Sequence, residues 1–127
     1  ITLATMSAFV QQLAAGSVGE WAGNTWKNKK LGMAGLAAQN GYISFGPNFG
    51  GLIIQWGLIP NNTTAVGLPI SYTKFKIGVG IHVGAAPVIV IELNDYFPSL
   101  NQIGFSTFSP DGNYNADATV FWIALGY

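Results

Sequence analysis

The side chains that could perform acid–base or nucleophilic chemistry are few in this chain, and their spacing does not suit it. Glu92 and Asp95 are close in sequence, as are Asp111 and Asp117, but neither pair has a spacing that implies an acid and a base. His82 is the only histidine, and no serine beside it belongs to a nucleophile motif. Loop or structural roles for the carboxylates are the stronger interpretation. We therefore expect no enzymatic activity and no cofactor.

A metal site would need several copies of the chain, because one chain carries a single histidine and no cysteine. Three copies around a symmetry axis could each contribute His82 to one ion. A solvated or hydrogen-bonded histidine is the stronger interpretation. Residues 111–117 (DGNYNAD) contain oxygen ligands at short intervals, but they lack the register and the closing glutamate of an EF-hand. We expect a hairpin turn there and no bound metal.

Two predicted loops, 94–101 and 109–115, combine aromatic rings with amide and carboxylate groups. Rings of this kind stack on the apolar faces of sugars, and amide and carboxylate groups make directional hydrogen bonds to sugar hydroxyls. The candidate receptor-binding residues are Asn94, Asp95, Tyr96, Phe97, Asp111, Asn113 and Tyr114. For each loop, an ordinary turn with one ring packed back on the core is the alternative.

The composition limits the classes of partner. Only 8% of the residues are charged, where about 25% is usual, and the formal net charge is zero with no arginine. Nucleic-acid binding is not expected, because it needs a basic surface. Residues 31–73 contain no charge, but amides and prolines interrupt them before about 18 apolar residues accumulate, so a membrane-embedded chain is not expected either. Since half of the residues are apolar, oligomerisation is the natural way to cover the surplus.

The last nine residues, 119–127 (TVFWIALGY), form a strand-like run that is apolar on both faces. The alternation divides them into one set of Val120, Trp122, Ala124 and Gly126 and an opposite set of Phe121, Ile123, Leu125 and Tyr127. A surface strand of a lone domain usually has one polar face. The pattern therefore predicts a sheet that packs on its own core and on a neighbouring molecule.

The first forty residues differ in sequence pattern from the rest. Leu3, Met6, Val10 and Leu13 recur at helical spacing, which predicts either the seam of a coiled stem or an amphipathic helix lying on its own domain. A second short helix is expected over residues 28–38. The chain opens without a methionine or a signal-peptide pattern, which favours the C-terminal part of a longer protein. We assign 1–40 to a helical stem and 41–127 to a β-rich knob.

Strand patterns follow residue 41, punctuated by glycine, proline, asparagine and aspartate. We expect strands near 42–46, 50–59, 64–70, 74–83, 87–93, 102–108 and 118–126. In residues 75–84 (FKIGVGIHVG) one face is wholly apolar, and the other carries three glycines that would let a ring or another backbone approach closely. The predicted fold is mainly β, an antiparallel β-sandwich or small barrel with a short N-terminal helical stem.

Five segments resemble, in order and spacing, the C-terminal domain that ends many bacteriophage and prophage tail fibres. They are 40–43 (NGYI), 51–57 (GLIIQWG), 67–70 (GLPI), 103–106 (IGFS) and 121–127 (FWIALGY). The resemblance covers roughly residues 40–127. It implies a homotrimeric knob at the distal tip of a fibre in the virion. It also implies binding to a bacterial surface glycan, often lipopolysaccharide, or to an outer-membrane protein.

The resemblance also implies a scaffold, with receptor contacts in the loops between its parts. The implied trimer and core residues are Leu52, Ile54, Trp56, Phe121, Trp122, Ile123, Leu125 and Tyr127. The chain departs from the family pattern at 75–93, where glycine and valine are unusually frequent, and it lacks the His-x-His repeats that bind metal in some other fibre tips. Two alternatives stay open. One is a purely structural trimerisation domain, and the other is a glycan-cleaving tailspike with a carboxylate pair assembled between subunits.

Overall fold

The computed structural model describes residues 2–8, 19–93, 99–115 and 117–127. Residues 3–8 are helical. Thr2 begins this helix, because its Oγ1 accepts the backbone N–H of Thr5 at 3.1 Å and its carbonyl oxygen accepts that of Met6 at 3.0 Å. The short N-terminal helix is therefore confirmed, while Val10 and Leu13 of the predicted seam lie outside the described residues.

The rest of the described chain is built of antiparallel strands in two sheets, so the mainly β prediction is confirmed. The larger sheet has the order β1–β2–β3–β4–β5–β10–β7, and the smaller has the order β6–β9–β8. The strands are β1 (Glu20–Ala22), β2 (Thr25–Asn28), β3 (Met33–Leu36), β4 (Gly41–Ser44), β5 (Ile53–Ile59), β6 (Ala65–Gly67), β7 (Lys76–His82), β8 (Ile89–Glu92), β9 (Gln102–Phe108) and β10 (Val120–Gly126), with a short 3-10 helix at Pro47–Phe49. Each of the seven strands predicted after residue 40 is present.

The predicted helix over residues 28–38 is wrong, because this stretch ends β2, turns, and forms β3. The turn is closed by the Leu31 N–H, which donates to Asn28 Oδ1 at 3.0 Å, and by Gly32 with a φ of 70°. Pairing of β3 with strands on both sides outweighs the local helix propensity. Within the segment assigned to the stem, residues 20–36 thus form a three-stranded antiparallel ribbon rather than a helix, and β3 pairs with β4 on the other side of residue 40.

The hydrophobic core lies between the two sheets. Its buried members are Ile59, Tyr72, Ile103, Phe105, Val120, Trp122 and Ala124. Trp122 has no exposed surface, and its neighbours on the adjoining strands are Gly57 of β5 and Gly80 of β7. One face of β10 is thus buried while Ile123 and Leu125 are exposed on the other, which confirms the predicted alternation of the last strand.

The glycine-bearing face of β7 is turned toward the core. A Cβ on Gly78 would lie 2.6 Å from Ile103 Cδ1, and one on Gly80 would lie 2.9 Å from Phe105 Cε1. These distances are shorter than van der Waals contact, so larger residues would force the sheets apart. The prediction that this face admits a ring is confirmed, and the ring belongs to the protein's own core.

Two buried polar side chains fasten the segment before β7 to the sheet. Gln55 donates from Nε2 to the Ile70 carbonyl oxygen at 2.9 Å and accepts the Ile70 N–H on Oε1 at 3.1 Å. Tyr72 donates its hydroxyl to the Ile53 carbonyl oxygen at 3.4 Å, and burial raises the pKa of Tyr72 to about 12, although its hydrogen bond with Gln55 acts in the opposite direction. Both buried groups are therefore satisfied within the fold.

The last residue is held in place rather than frayed. The main-chain oxygen of Tyr127 accepts the N–H groups of Thr73, Lys74 and Phe75 at 3.0, 2.8 and 3.2 Å. The Tyr127 ring stacks on Phe75, with ring centroids 6.0 Å apart. These contacts tie β10 to the segment that leads into β7.

We predict that Gly80→Ala will lower the free energy of unfolding by about 1–3 kcal/mol, because the new methyl group would overlap Phe105 and Val120. Gly67→Ala is the matched control, since a Cβ at that position would have no described atom within 4 Å, and its effect should stay within about 1 kcal/mol. Urea unfolding at equal chain concentration measures both. Equal effects of the two substitutions would contradict the close contact between the sheets.

Candidate functional site

The strand register defines two ends of the larger sheet. The upper end is where Val120 pairs with His82, and the lower end is where Gly126 pairs with Lys76. The residue pairs that connect β1 to β5 and then to β10 run from Glu20 to Gly126, so these two residues lie at the same end of the sheet. The chain therefore enters the sheet at the lower end.

The two predicted receptor loops lie on either side of β9, whose direction fixes where each one is placed. β9 begins at the lower end, where the Gln102 carbonyl oxygen accepts a hydrogen bond from Lys76 Nζ at 2.5 Å, and it passes Gly80 at Phe105. A strand of seven residues is roughly 20 Å long. The described residues 99–101 therefore lie at the lower end, and loop 109–115 lies at the upper end.

Loop 94–101 can be placed only through its flanks. The predicted residues Asn94, Asp95, Tyr96 and Phe97 lie outside the described residues. On the C-terminal side, the Ser99 carbonyl oxygen accepts a hydrogen bond from Lys76 Nζ at 2.9 Å, and the Leu100 carbonyl oxygen accepts the Tyr72 N–H at 2.8 Å. Contacts with buried residues of the core thus fix the base of this loop.

The lysine at that base is almost completely buried. Burial lowers the pKa of Lys76, and the nearby charge of Glu92 partly opposes this effect. The ammonium group keeps two carbonyl partners, on Ser99 and Gln102. It links β7 of the larger sheet to β9 of the smaller one.

Loop 109–115 is a hairpin turn, as predicted. The Ser109 N–H donates to the Asn113 carbonyl oxygen at 2.8 Å, and the Gly112 N–H donates to the Ser109 carbonyl oxygen at 2.9 Å. Asp111 accepts the backbone N–H of Asn113 on Oδ1 at 3.1 Å and its amide Nδ2 on Oδ2 at 3.0 Å. The two polar side chains predicted in this loop are thus held in a fixed arrangement at the surface.

The ring of Tyr114 is not packed back on the core. It is 61% exposed, and it contacts Phe108 edge to face, with centroids 6.1 Å apart and planes at 76°. An isolated bridge between the same two residues holds the backbone in place. The upper end therefore presents a supported aromatic ring next to the exposed Asp111 and Asn113.

The sequence analysis missed a second polar turn at the upper end. Residues 60–64 follow the end of β5, where Ile59 pairs with Val120, and Asn61, Asn62 and Thr63 are exposed. Asn62 adopts a φ of 62°, a conformation that asparagine tolerates better than most residues. The run Asn-Asn-Thr-Thr between two predicted strands indicates this turn, but which end of the sheet it occupies depends on the strand pairing.

The residues predicted as scaffold fall on different sides of the larger sheet. Trp122 lies in the core. Leu52 precedes β5, and its carbonyl oxygen accepts the Phe45 N–H at 2.9 Å. The others share the outer face, which is turned away from the smaller sheet: Ile54, Trp56, Phe121, Ile123, Leu125 and Tyr127. Their role in a trimer stays a prediction.

The outer face is apolar across all seven strands of the larger sheet. Its strand positions carry no charged side chain, and many of its large residues are more than one third exposed. These exposed residues are Trp21, Ile43, Phe75, Ile77, Val79, Ile81, Val83, Ile123, Leu125 and Tyr127. A surface of this kind is uncommon on a lone soluble domain and usually marks an interface.

His82 lies on the opposite side from that face, in the row of Gly78 and Gly80. Its Nδ1 is 2.9 Å from the Ala86 carbonyl oxygen, which fits a hydrogen-bonded histidine. Within the described residues, no group of three His, Cys, Asp or Glu side chains is placed to hold a metal ion. No helix among the same residues has the length and apolarity needed to span a membrane.

Comparison with known proteins gives the family. Residues 47–127 match the family described as "Putative tail fiber protein gp53-like, C-terminal". Because this match covers more than half of the chain, the chain belongs to that family of tail fibre C-terminal domains. No curated protein sequence matches the chain.

A solved tail fibre structure shares the fold. An N-truncated R2-type pyocin tail fiber superimposes with a TM-score of 0.58 at 17% identity, over 99% of this chain and 43% of the pyocin chain. A C-terminal part of the P. aeruginosa R1 pyocin fiber gives a TM-score of 0.49 at 19% identity, over 75% of this chain and 28% of its own. This chain thus spans less than half the length of the fibre structures that it matches.

Proposed function

We propose that this chain is the receptor-binding tip of a tail fibre in the virion and that it binds a bacterial surface glycan, lipopolysaccharide above all, to adsorb the particle to its host. Membership of the tail fibre C-terminal family over residues 47–127 carries the proposal. An outer-membrane protein is the alternative receptor. In this proposal the domain binds its receptor without cleaving it.

The domain acts as a homotrimer, and the outer face of the larger sheet supports this part of the proposal. Its large apolar side chains, from Trp21 on β1 to Val79 on β7, are exposed in a single chain, and a surface of this kind usually marks an interface. Because the strand positions on this face carry no charged side chain, burying them does not require the desolvation of an ion. Association of copies through this face removes the apolar surface from water.

The topology favours the upper end for receptor contact. The chain enters the larger sheet at Glu20, at the lower end, and we propose that the fibre stalk lies on this side. Loop 109–115 and the Asn-Asn-Thr turn at 60–64 lie at the opposite end. They are therefore in position to meet a bacterial surface first.

The chemistry of that end suits a neutral sugar. The ring of Tyr114 offers an exposed face for stacking, while Asp111 and Asn113 offer hydrogen-bonding groups fixed by the turn. Few charges lie nearby, so affinity should come from stacking and hydrogen bonding rather than from long-range attraction. Binding should therefore persist at moderate salt.

We predict that Tyr114→Ala will weaken binding of the labelled chain to host cells or to their purified lipopolysaccharide by about 5- to 150-fold, which corresponds to about 1–3 kcal/mol. Phe49→Ala is the matched control, because Phe49 is also 61% exposed but lies at the lower end, on the 3-10 helix after β4. Strains with truncated lipopolysaccharide identify the part of the glycan that is bound.

Unchanged affinity of Tyr114→Ala, with a normal oligomer, would show that this ring does not contact the receptor. If replacing both loops, 94–101 and 109–115, left adsorption intact, the purely structural trimerisation domain would be the better account. The extensive apolar face is the observation that favours this second function.

Cleavage of the receptor is tested separately. We predict that incubation of the chain with purified host polysaccharide will release no new reducing ends, because the Asp111 carboxylate accepts the N–H and the side-chain amide of Asn113 within its own turn, and the spacing of Asp111 and Asp117 does not imply an acid and a base. A reducing-end assay over a range of pH measures this. Steady release of oligosaccharides would instead establish a depolymerase.

A further inference from the structure

We propose that copies of this chain associate head to tail, with the β7 ridge of one copy seated in the tryptophan groove of the next. The β7 ridge consists of Phe75, Ile77, Val79, Ile81 and Val83. The tryptophan groove is lined by Trp21, Trp26, Met33, Ile43, Phe45 and Trp56. This inference rests on the proposed trimer and assigns its contact surfaces.

The tryptophan groove is a concave, apolar part of the outer face. It encloses about 400 Å³ over strands β1 to β5. Two of its rings lie against glycines, because a Cβ on Gly41 would be 2.6 Å from Trp56 Cζ2 and a Cβ on Gly35 would be 3.9 Å from Trp26 Cε3. Trp56 is held in place by a hydrogen bond from its Nε1 to the Ala38 carbonyl oxygen at 3.0 Å. This hydrogen bond fixes the position of the Trp56 ring in the wall of the groove.

The β7 ridge is the convex counterpart on the same face. β7 is an edge strand of the larger sheet, and all five ridge residues are 47–66% exposed. Toward the middle of the sheet exposure falls, to 43% for Leu125 and 39% for Ile123. The ridge exists because the glycines on the other face of β7 let that strand lie tightly against the core and leave the apolar set outside.

The occupant of the groove is a second copy because the two surfaces match in chemistry and in shape. Both are apolar, and neither contributes a charged side chain that would have to lose its hydration. Branched aliphatic side chains fill the space between aromatic rings well. A single contact between the ridge and the groove would therefore bury the most exposed apolar residues of the outer face.

Head-to-tail pairing follows from the separation of the two surfaces. Four strand steps separate β3 from β7, and neighbouring strands rotate by roughly 20–25° per step, so the groove and the ridge face different directions. A twofold contact would have to seat both ridges in both grooves at once, which requires the two surfaces of one copy to face the same way. Joining unlike surfaces by one rotation instead gives a closed ring when the rotation closes, as three copies require.

The test uses the absence of native cysteine, which leaves introduced thiols as the only ones. Val79→Cys on the ridge and Trp21→Cys on the rim of the groove are 66% and 64% exposed in one copy, so neither should disturb the fold. A short bismaleimide is added to each variant, to the double variant, and to a co-expressed mixture of the two single variants. Products are separated on denaturing gels after sedimentation has given the native mass.

We expect the double variant to give covalent dimers and trimers, the mixture to give dimers containing one chain of each kind, and either single variant alone to stay monomeric on the gel. Pairing Val79→Cys with Tyr114→Cys, in loop 109–115, is the control and should give no product. Cross-linked Val79→Cys alone would overturn the proposal, because it would place ridge against ridge.

Sedimentation separates failure of this inference from failure of the proposed function. A trimer without cross-links between positions 79 and 21 would overturn only the ridge-and-groove pairing. It would leave the groove to another occupant, such as the exposed N-terminal residues 2–8 of the chain. A monomeric chain would overturn the trimer and the pairing together.

Discussion

The structure depends on how β10 accommodates Trp122. The indole is completely buried, and its direct neighbours on both adjoining strands are glycines, Gly57 and Gly80. A Cβ on Gly57 would lie 2.7 Å from the ring, so any larger residue there would collide with it. This arrangement lets one large side chain fill the space beneath the smaller sheet and brings the backbones of β5, β10 and β7 into register.

A second constraint follows from the first. Once the glycines of β7 and the tryptophan of β10 face inward, strand alternation sends Val79, Ile123 and their neighbours outward. Those residues are exposed in a single chain, so the same arrangement that builds the core also leaves an apolar outer face. The core and the proposed association face are therefore two sides of one sheet. A substitution at an even-numbered position of β10 changes the core side, and one at an odd-numbered position changes the outer side.

The sequence predicts much of this because strand patterns are local. The glycine face of β7 and the two apolar faces of β10 can be read from alternation alone, and the structure confirms them. The helix expected over residues 28–38 was wrong because pairing with β2 and β4, which local propensity does not contain, decides that segment. The pairing of Trp21 with Trp26 likewise depends on contacts that local propensity does not contain, because it follows from the register of β1 and β2.

The positions of the loops were beyond local reasoning for a similar reason. Loops 94–101 and 109–115 have like compositions, yet β9 carries the chain from one end of the sandwich to the other between them. Composition cannot show this, because it depends on which strands pair. The pairing of Ile59 with Val120 likewise places the exposed Asn61 and Asn62 at the upper end.

The central claim is that the outer face is buried between copies, and sedimentation velocity of the purified chain tests it most directly. If copies bury the outer face, we expect one species with three times the 13.4 kDa mass of a single chain, stable on dilution through the micromolar range. A folded monomer that stays soluble over that range would contradict it, because the apolar face of β7 and β10 would then be stable in water.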